Sequence, residues 1–139
     1  MLSILYVLKR MRGREMSKYN NKKTIVDGIK FDSEMESHYY IYLKELKEVG
    51  VVLDFELQPV YVLQEGFVKD GKKIKPITYK ADFRVLYTDG HEEVIDVKGQ
   101  LLSDFKLKRK MLLYKYRDIN FKCVQERGRK PNKYWIDIL

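Results

Sequence analysis

The spacing of apolar and polar positions changes period along the chain, and each change marks an element. Between Asp32 and Val49 the apolar residues Met35, Tyr39, Tyr42, Leu43, Leu46 and Val49 recur at helical spacing. Gly50 follows as a stop, so an amphipathic helix is predicted there. "VVLDFELQPVYVLQEGF" reads as one or two strands interrupted near Pro59, followed by a basic loop around "KDGKKIK". Tyr79 to Tyr87 and Glu92 to Lys98 alternate on either side of a turn at "TDG" and predict a hairpin. From Ser103, "SDFKLKRKMLLYKY" predicts a second helix behind a serine N-cap, very basic on its exposed side. "INFKCVQ" and "KYWIDI" predict two closing strands around the loop "ERGRKPN". The order is α-β-β-β-α-β-β, an α/β chain without internal repeats.

Upstream of the first helix, "SKYNNKKTIVDGIK" is polar and basic, so residues 1–27 are read as a flexible N-terminal arm and 28–139 as a single domain. Within that arm "LSILYVL" is far shorter than the ~20 apolar residues of a membrane-spanning helix. It also lacks a small-residue cleavage site, and Met16 reads equally well as a first residue. A chain of 139 residues, 45% hydrophobic, is long enough to bury one core. One cysteine and two histidines exclude an internal disulfide and a multi-cysteine or histidine-rich metal centre, and they suit a cytoplasmic setting.

The net charge of +8 is unevenly spread. Residues 1–30 carry 8 basic and 2 acidic side chains, residues 31–100 carry 9 and 14, and residues 101–139 carry 11 and 4. An acidic middle between basic ends suits a polyanion-binding protein with a metal-holding centre, although a solvated lysine-rich surface explains charge alone as well.

The predicted hairpin gives that centre a location. If Thr88, Asp89 and Gly90 form a three-residue loop with Gly90 in the left-handed position, Tyr87 pairs with His91 and Asp82 stands opposite Asp96. Two carboxylates with Cβ atoms roughly 4.5–5.5 Å apart repel unless something positive is shared between them. Lys98, two residues beyond Asp96, leaves the same face. Two oxygen ligands beside an ammonium suit Mg²⁺, which binds through one or two carboxylates and completes its shell with water and phosphate oxygens. A divalent ion there activates water and offsets charge on phosphoryl oxygens, and the lysine orients the water or stabilises the same charge.

An acidic residue two before a lysine occurs four times, but only Asp96 and Lys98 lie in an alternating strand with a second carboxylate opposite. The competing account is a solvent-facing ion pair on a half-exposed hairpin. Glu36 falls on the flank of the first helix's apolar face and can look toward the site, as a third ligand or to position water. Equally, "SEME" from Ser33 is a capping box in which Glu36 serves the helix N-terminus.

Together, "FDSEMESHYY", "DFELQPVYVL", "YKADF" and "EEVIDVKG" before a basic helix resemble the PD-(D/E)XK nuclease superfamily. The resemblance is closest to its small phage-borne, Holliday junction resolvase-like DUF1064 endonucleases, from about Gly28 to the end. It implies a restriction-endonuclease-like mixed sheet flanked by helices and a Mg²⁺-dependent DNA endonuclease, with Mn²⁺ as an alternative ion. Glu36, Asp82, Asp96 and Lys98 match the family's catalytic positions, the three acids being its metal ligands; Ala81 stands where the motif has proline. Gln58 and Gln100 are accessory candidates. Duplex or branched DNA is the implied partner, in phage DNA recombination or processing and hence the host cytoplasm. Two cuts across a junction would favour a homodimer. Lys106, Lys108, Arg109, Lys110 and Lys115 on the basic helix and Arg127, Arg129 and Lys130 in the tail loop are candidate phosphate contacts. The rival accounts are a noncatalytic DNA-binding module with a degenerate nuclease fold, and an RNA-binding protein.

Overall fold

The computed structural model describes residues 14–16 and 22–139. Its elements begin with β1 (Arg14–Met16), β2 (Lys22–Val26), β3 (Ile29–Phe31), α1 (Glu34–Glu48), β4 (Val52–Leu57) and β5 (Val60–Gln64). They continue with β6 (Phe67–Lys69), β7 (Lys72–Ile74), β8 (Ile77–Lys80), β9 (Phe83–Tyr87) and β10 (Glu92–Val97). The last three are α2 (Ser103–Lys115), β11 (Phe121–Arg127) and β12 (Tyr134–Asp137). Five strands form a mixed sheet in the order β12-β11-β10-β9-β4, in which only β10 and β11 run parallel. That parallel pair needs a crossover, which α2 supplies.

β10 is central, and Glu93 to Val97 are all buried, as expected of a strand covered on both faces. Its alternation divides the interior in two. Ile95 and Val97 join Tyr39, Leu43, Phe83 and Val85 beneath α1, while Val94 joins Tyr79, Ala81, Phe105, Leu112 and Cys123 beneath α2. Phe83 and Ile95 are at most 1% exposed, and burying such side chains contributes about 1.5–3 kcal/mol each. The architecture is thus the mixed sheet flanked by helices that the sequence implies.

α1 starts where Ser33 Oγ accepts the Glu36 amide at 3.0 Å and stops before Gly50, whose φ of +85° favours glycine. It buries more than one stripe, because the β1–β2–β3 sheet covers a second flank: Tyr40 packs on Phe31, while Tyr39 packs on Phe83 and Trp135. Residues 22–27 are therefore not an arm. Thr24 is fully buried, and Asp27 accepts hydrogen bonds from Tyr40 and Lys44 at 3.0 and 2.5 Å. Residues 1–13 and 17–21, the rest of the expected arm, lie outside the described residues.

Three further expectations change. The "KDGKKIK" segment is a hairpin, β6–β7, rather than a loop. The run from Tyr79 to Tyr87 is two strands, β8 pairing with β5 and β9 with β10 and β4, parted at Ala81 and Asp82. At α2 the capping position is Leu102 with no side-chain cap, and Ser103 is the first helical residue. Among the described residues no helix is long and apolar enough to cross a membrane.

Candidate active site

The hairpin register sets the site. Tyr87 N–H donates to His91 O at 2.9 Å, Gly90 has φ +94°, and Phe83 pairs with Ile95, so Asp82 stands opposite Asp96. At Asp82 the chain passes between sheets, and its backbone is held on both sides. The Asp82 amide donates to Ile95 O at 3.1 Å, and the Gln58 amide donates to Asp82 O at 2.9 Å. Gln58 itself sits in the left-handed region at φ +51°, with an exposed side chain. Its contribution is thus a backbone one, positioning Asp82. The Asp82 side chain turns back into the ladder, where Oδ2 accepts the Val97 amide at 2.7 Å.

Asp96 is 2% exposed and enclosed on the α2 side of the sheet. Its Oδ2 accepts a hydrogen bond from the buried Tyr79 hydroxyl and lies 3.5 Å from Lys98 Nζ. Lys98, a third exposed, rests its ammonium 4.8 Å from the centre of the Phe105 ring, so its headgroup has both an anionic and an aromatic support. Glu36, 4% exposed in the first turn of α1, hydrogen-bonds Asp82, which in turn hydrogen-bonds Asp96. Glu36 serves the helix start through its amide and keeps a backbone hydrogen bond at Asp32, while its carboxyl reaches the aspartates. The structure therefore brings together Glu36, Asp82, Asp96 and Lys98, from α1, the β8–β9 junction and the end of β10.

Burial raises the Asp82 carboxyl far above the ordinary range, and the hydrogen bond and charge of Asp96, then the charge of Glu36, push the same way; the Val97 amide opposes them. Glu36 is raised too, by burial first and by Asp32 and Asp96 after it. Two carboxyl groups share a hydrogen bond only when one holds a proton. Without a cation the cluster is thus a proton trap, and a divalent ion would take the proton's place.

Two supporting residues lie outside the site expected from the sequence, Tyr79 and Gln125. Tyr79 is pushed well above the usual phenol range by burial and by Asp96, which keeps its hydroxyl a donor. Gln125 on β11 donates to Lys98 O at 3.3 Å and Gly99 O at 2.7 Å, and its own Oε1 accepts from Arg127 Nε at 2.5 Å. It pins the turn that carries Lys98. The period of two on β10 and β8 already places Tyr79 on a buried face; Gln125 depends on the β10–β11 register, which crosses a helix. Gln100 is exposed in the turn after Lys98, and no hydrogen bond joins it to the cluster.

The expected phosphate contacts divide. Lys106, Lys110, Arg129 and Lys130 are exposed, as is Arg127 despite its bond to Gln125. Lys108 and Arg109 are half-buried, and the Arg109 Nε is enclosed without a partner, since Arg109 lies on the Phe105–Leu112 stripe of α2 rather than opposite it. Lys115 is also exposed and pairs with Glu65 Oε1 at 2.7 Å.

The family model described as "Protein of unknown function (DUF1064)" matches residues 16–131. The chain belongs to the DUF1064 family. No curated protein and no solved structure matches it. The DUF1064 match spans all four clustered residues, and it starts at Met16, upstream of the boundary expected at Gly28.

The fit of this DUF1064 site to a divalent ion is mixed. Among the described residues no group of three or more His, Cys, Asp and Glu side chains has a metal-holding arrangement, so Glu36, Asp82 and Asp96 are not a preformed three-ligand cage. Two apposed carboxylates remain, Asp96 buried and Asp82 half-buried, hard oxygen donors whose repulsion a cation relieves, and Mg²⁺ typically takes one or two carboxylates and keeps several waters.

Proposed function

We propose that this DUF1064 chain is a divalent-metal-dependent DNA endonuclease of the PD-(D/E)XK kind, hydrolysing phosphodiester bonds. The observation that supports it most is the meeting of two buried carboxyl groups, Glu36 and Asp96, and the half-buried Asp82 with one partly exposed lysine, an arrangement costly to fold around unless it is used. Asp82 and Asp96 hold the ion, Mg²⁺ or Mn²⁺, which supplies Lewis acidity and offsets charge on the phosphoryl oxygens. Glu36, beside Asp82, would share with it the proton that the metal-free cluster holds and a bound ion would displace. Lys98, held between Asp96 and Phe105, presents its ammonium to the phosphate charge or to the attacking water. Branched DNA of the Holliday-junction type, a phage DNA-processing role, a host-cytoplasmic setting and a homodimer follow from the superfamily resemblance alone.

Labelled linear, flap and four-way DNA incubated with Mg²⁺ or EDTA tests this. The parent should cut at least one substrate only with Mg²⁺, and Asp96→Asn should bind in EDTA as the parent does and cut none. DNA binding without Mg²⁺-dependent product from any substrate would leave the noncatalytic module, and preference for RNA at matched salt the RNA-binding account.

A further inference from the structure

Between Pro59 and Ala81 the chain leaves the main body as a two-stranded ribbon: β5 pairs with β8, and beyond Glu65 and Pro76 β6 pairs with β7. The root is fixed. Tyr116 hydroxyl donates to Val62 O at 3.0 Å, Lys115 pairs with Glu65, and Tyr79 is 5% exposed with its hydroxyl on Asp96. Everything from Gln64 to Thr78 is exposed. Gly66 lets the two halves cross closely, since a Cβ there would sit 3.1 Å from Ile74 O.

The outer hairpin has an unusual surface for an element that touches only water. Lys69 stands directly across from Lys72, and Lys73 and Lys75 follow against the single acid Asp70. Among the described residues none of these four lysines makes an ion pair. Like charges directly opposed across a strand pair destabilise it. On the Lys69–Lys72 face the next cross-strand pair is Phe67 with Ile74, 44% and 40% exposed, and Val68 on the other face is 65% exposed. A hairpin so built is held mainly by its Asp70–Gly71 turn, with φ +49° and +74°, and it gains from a polyanion that screens the lysines.

We propose that this ribbon is a duplex-gripping arm of the carboxylate site, laid along the DNA flanking the bond to be cut. The inference rests on the nuclease reading for where the cut falls, not for the binding itself. β8 runs from the hairpin directly into Tyr79 and Asp82, so an anion held at the lysines is led by the strand to the carboxyl cluster. A two-stranded ribbon fits the major groove of B-DNA. At about 3.3 Å per residue the segment from Asp70 to Lys80, with β7 and β8 end to end, reaches at most about 33 Å, the length of roughly ten base pairs. Lys69, Lys72, Lys73 and Lys75 take phosphates, and Phe67 and Ile74 lie against sugars and base edges.

The test uses the full chain in EDTA, with anisotropy of labelled duplex and four-way DNA across a salt series. Each phosphate contact contributes about 0.9 to the slope of log K against log salt, so joint Lys69→Gln, Lys72→Gln, Lys73→Gln and Lys75→Gln should lower the slope by roughly 2–4. Affinity near 0.1 M salt should fall roughly 100-fold. Melting should be unchanged or higher, since the substitutions remove repulsion. A second variant, Phe67→Ser with Ile74→Ser, should weaken binding with the slope unchanged, and trimming the duplex flank below about ten base pairs should copy the lysine variant's loss. A parent that binds with a slope the lysine variant retains overturns the arm, whether or not Mg²⁺ cleavage is seen. A parent that binds through these lysines but never cleaves upholds the arm and removes the nuclease. Binding to phosphatidylserine vesicles with none to DNA overturns it in favour of a lipid surface.

Discussion

In the metal-free protein, Asp82→Asn should be stabilising, and increasingly so as the pH rises. An asparagine can reproduce the bonds of the native side chain: its carbonyl accepts the Val97 amide, and the two protons of its amide serve Asp96 and Glu36. What it removes is an acid that burial and Asp96 hold far above its ordinary value. An acid raised on folding keeps in the native state a proton that the unfolded chain, with an aspartate near 3.9, has lost. Stability therefore falls as pH rises between the unfolded and folded values, by about 1.4 kcal/mol per pH unit for each proton so held. Between pH 5 and 7 the variant's advantage should widen by up to about 2.7 kcal/mol, less where Glu36 shares the proton. Urea denaturation in EDTA, followed by circular dichroism at several pH values, reads this directly. Added Mg²⁺ should then reverse the order, since an ion at 100 times its Kd contributes about 2.7 kcal/mol to the parent. A gap that stays flat with pH, or a variant less stable throughout, would mean that Asp82 is not the proton-holding member of a repelling cluster.

Lys98→Ala should leave DNA affinity in EDTA within about tenfold, because one partly exposed ammonium adds at most one phosphate contact, while single-turnover cleavage falls roughly 100-fold or more; equal cleavage would remove Lys98 from the chemistry. Gln125→Ala frees the Lys98 and Gly99 carbonyls, and cleavage should drop roughly tenfold with DNA binding intact, a split that a merely structural role would not produce. Glu126→Gln probes the other side of α1: burial opposes the Glu126 charge, but His38 Nδ1 at 2.9 Å and Lys133 at 3.0 Å outweigh it and hold the carboxyl below its ordinary value. Its contribution is present above the unfolded value and lost as pH falls through the folded one, so the parent should lose more stability than Glu126→Gln between pH 6 and pH 3 in urea titrations.

How far the sequence carries is clear from three places. The Thr88–Asp89–Gly90 loop and a strict period of two suffice to place Asp82 opposite Asp96, because hairpin register depends on local chemistry only. Asp27–Gly28 and Asp70–Gly71 are equally local signals, both with two positive φ values, and each makes a hairpin. Their lysine-rich flanks resemble an arm and a loop by composition, and composition conceals them. The break at Ala81 has no local mark. Tyr79, Ala81, Phe83 and Val85 alternate without interruption, and the strand divides only because the Ala81 amide finds Pro59 O and the Asp82 carbonyl finds the Gln58 amide, more than twenty residues away. Lys115 is the same case, since its partner Glu65 comes from another element.

That break also accounts for the site. The Ile95 carbonyl of β10 and the Gln58 amide just past β4 hold the Asp82 backbone at the crossing, and its carboxyl caps the end of the β10 ladder beside Asp96. The first turn of α1 delivers Glu36 to the same end, and Gln125 fixes the turn that carries Lys98 there. An acid cluster placed where strands end has backbone donors within reach, which a cluster in mid-sheet would lack. The ribbon is the other product of the crossing: the residues between Pro59 and Ala81 leave the sheet as a pair, so the same irregularity that brings Asp82 beside Asp96 also builds an arm next to them. If the arm grips duplex and the cluster cuts it, shortening the ribbon at its Asp70–Gly71 end should reduce affinity while the surviving complexes cleave at the parent's rate.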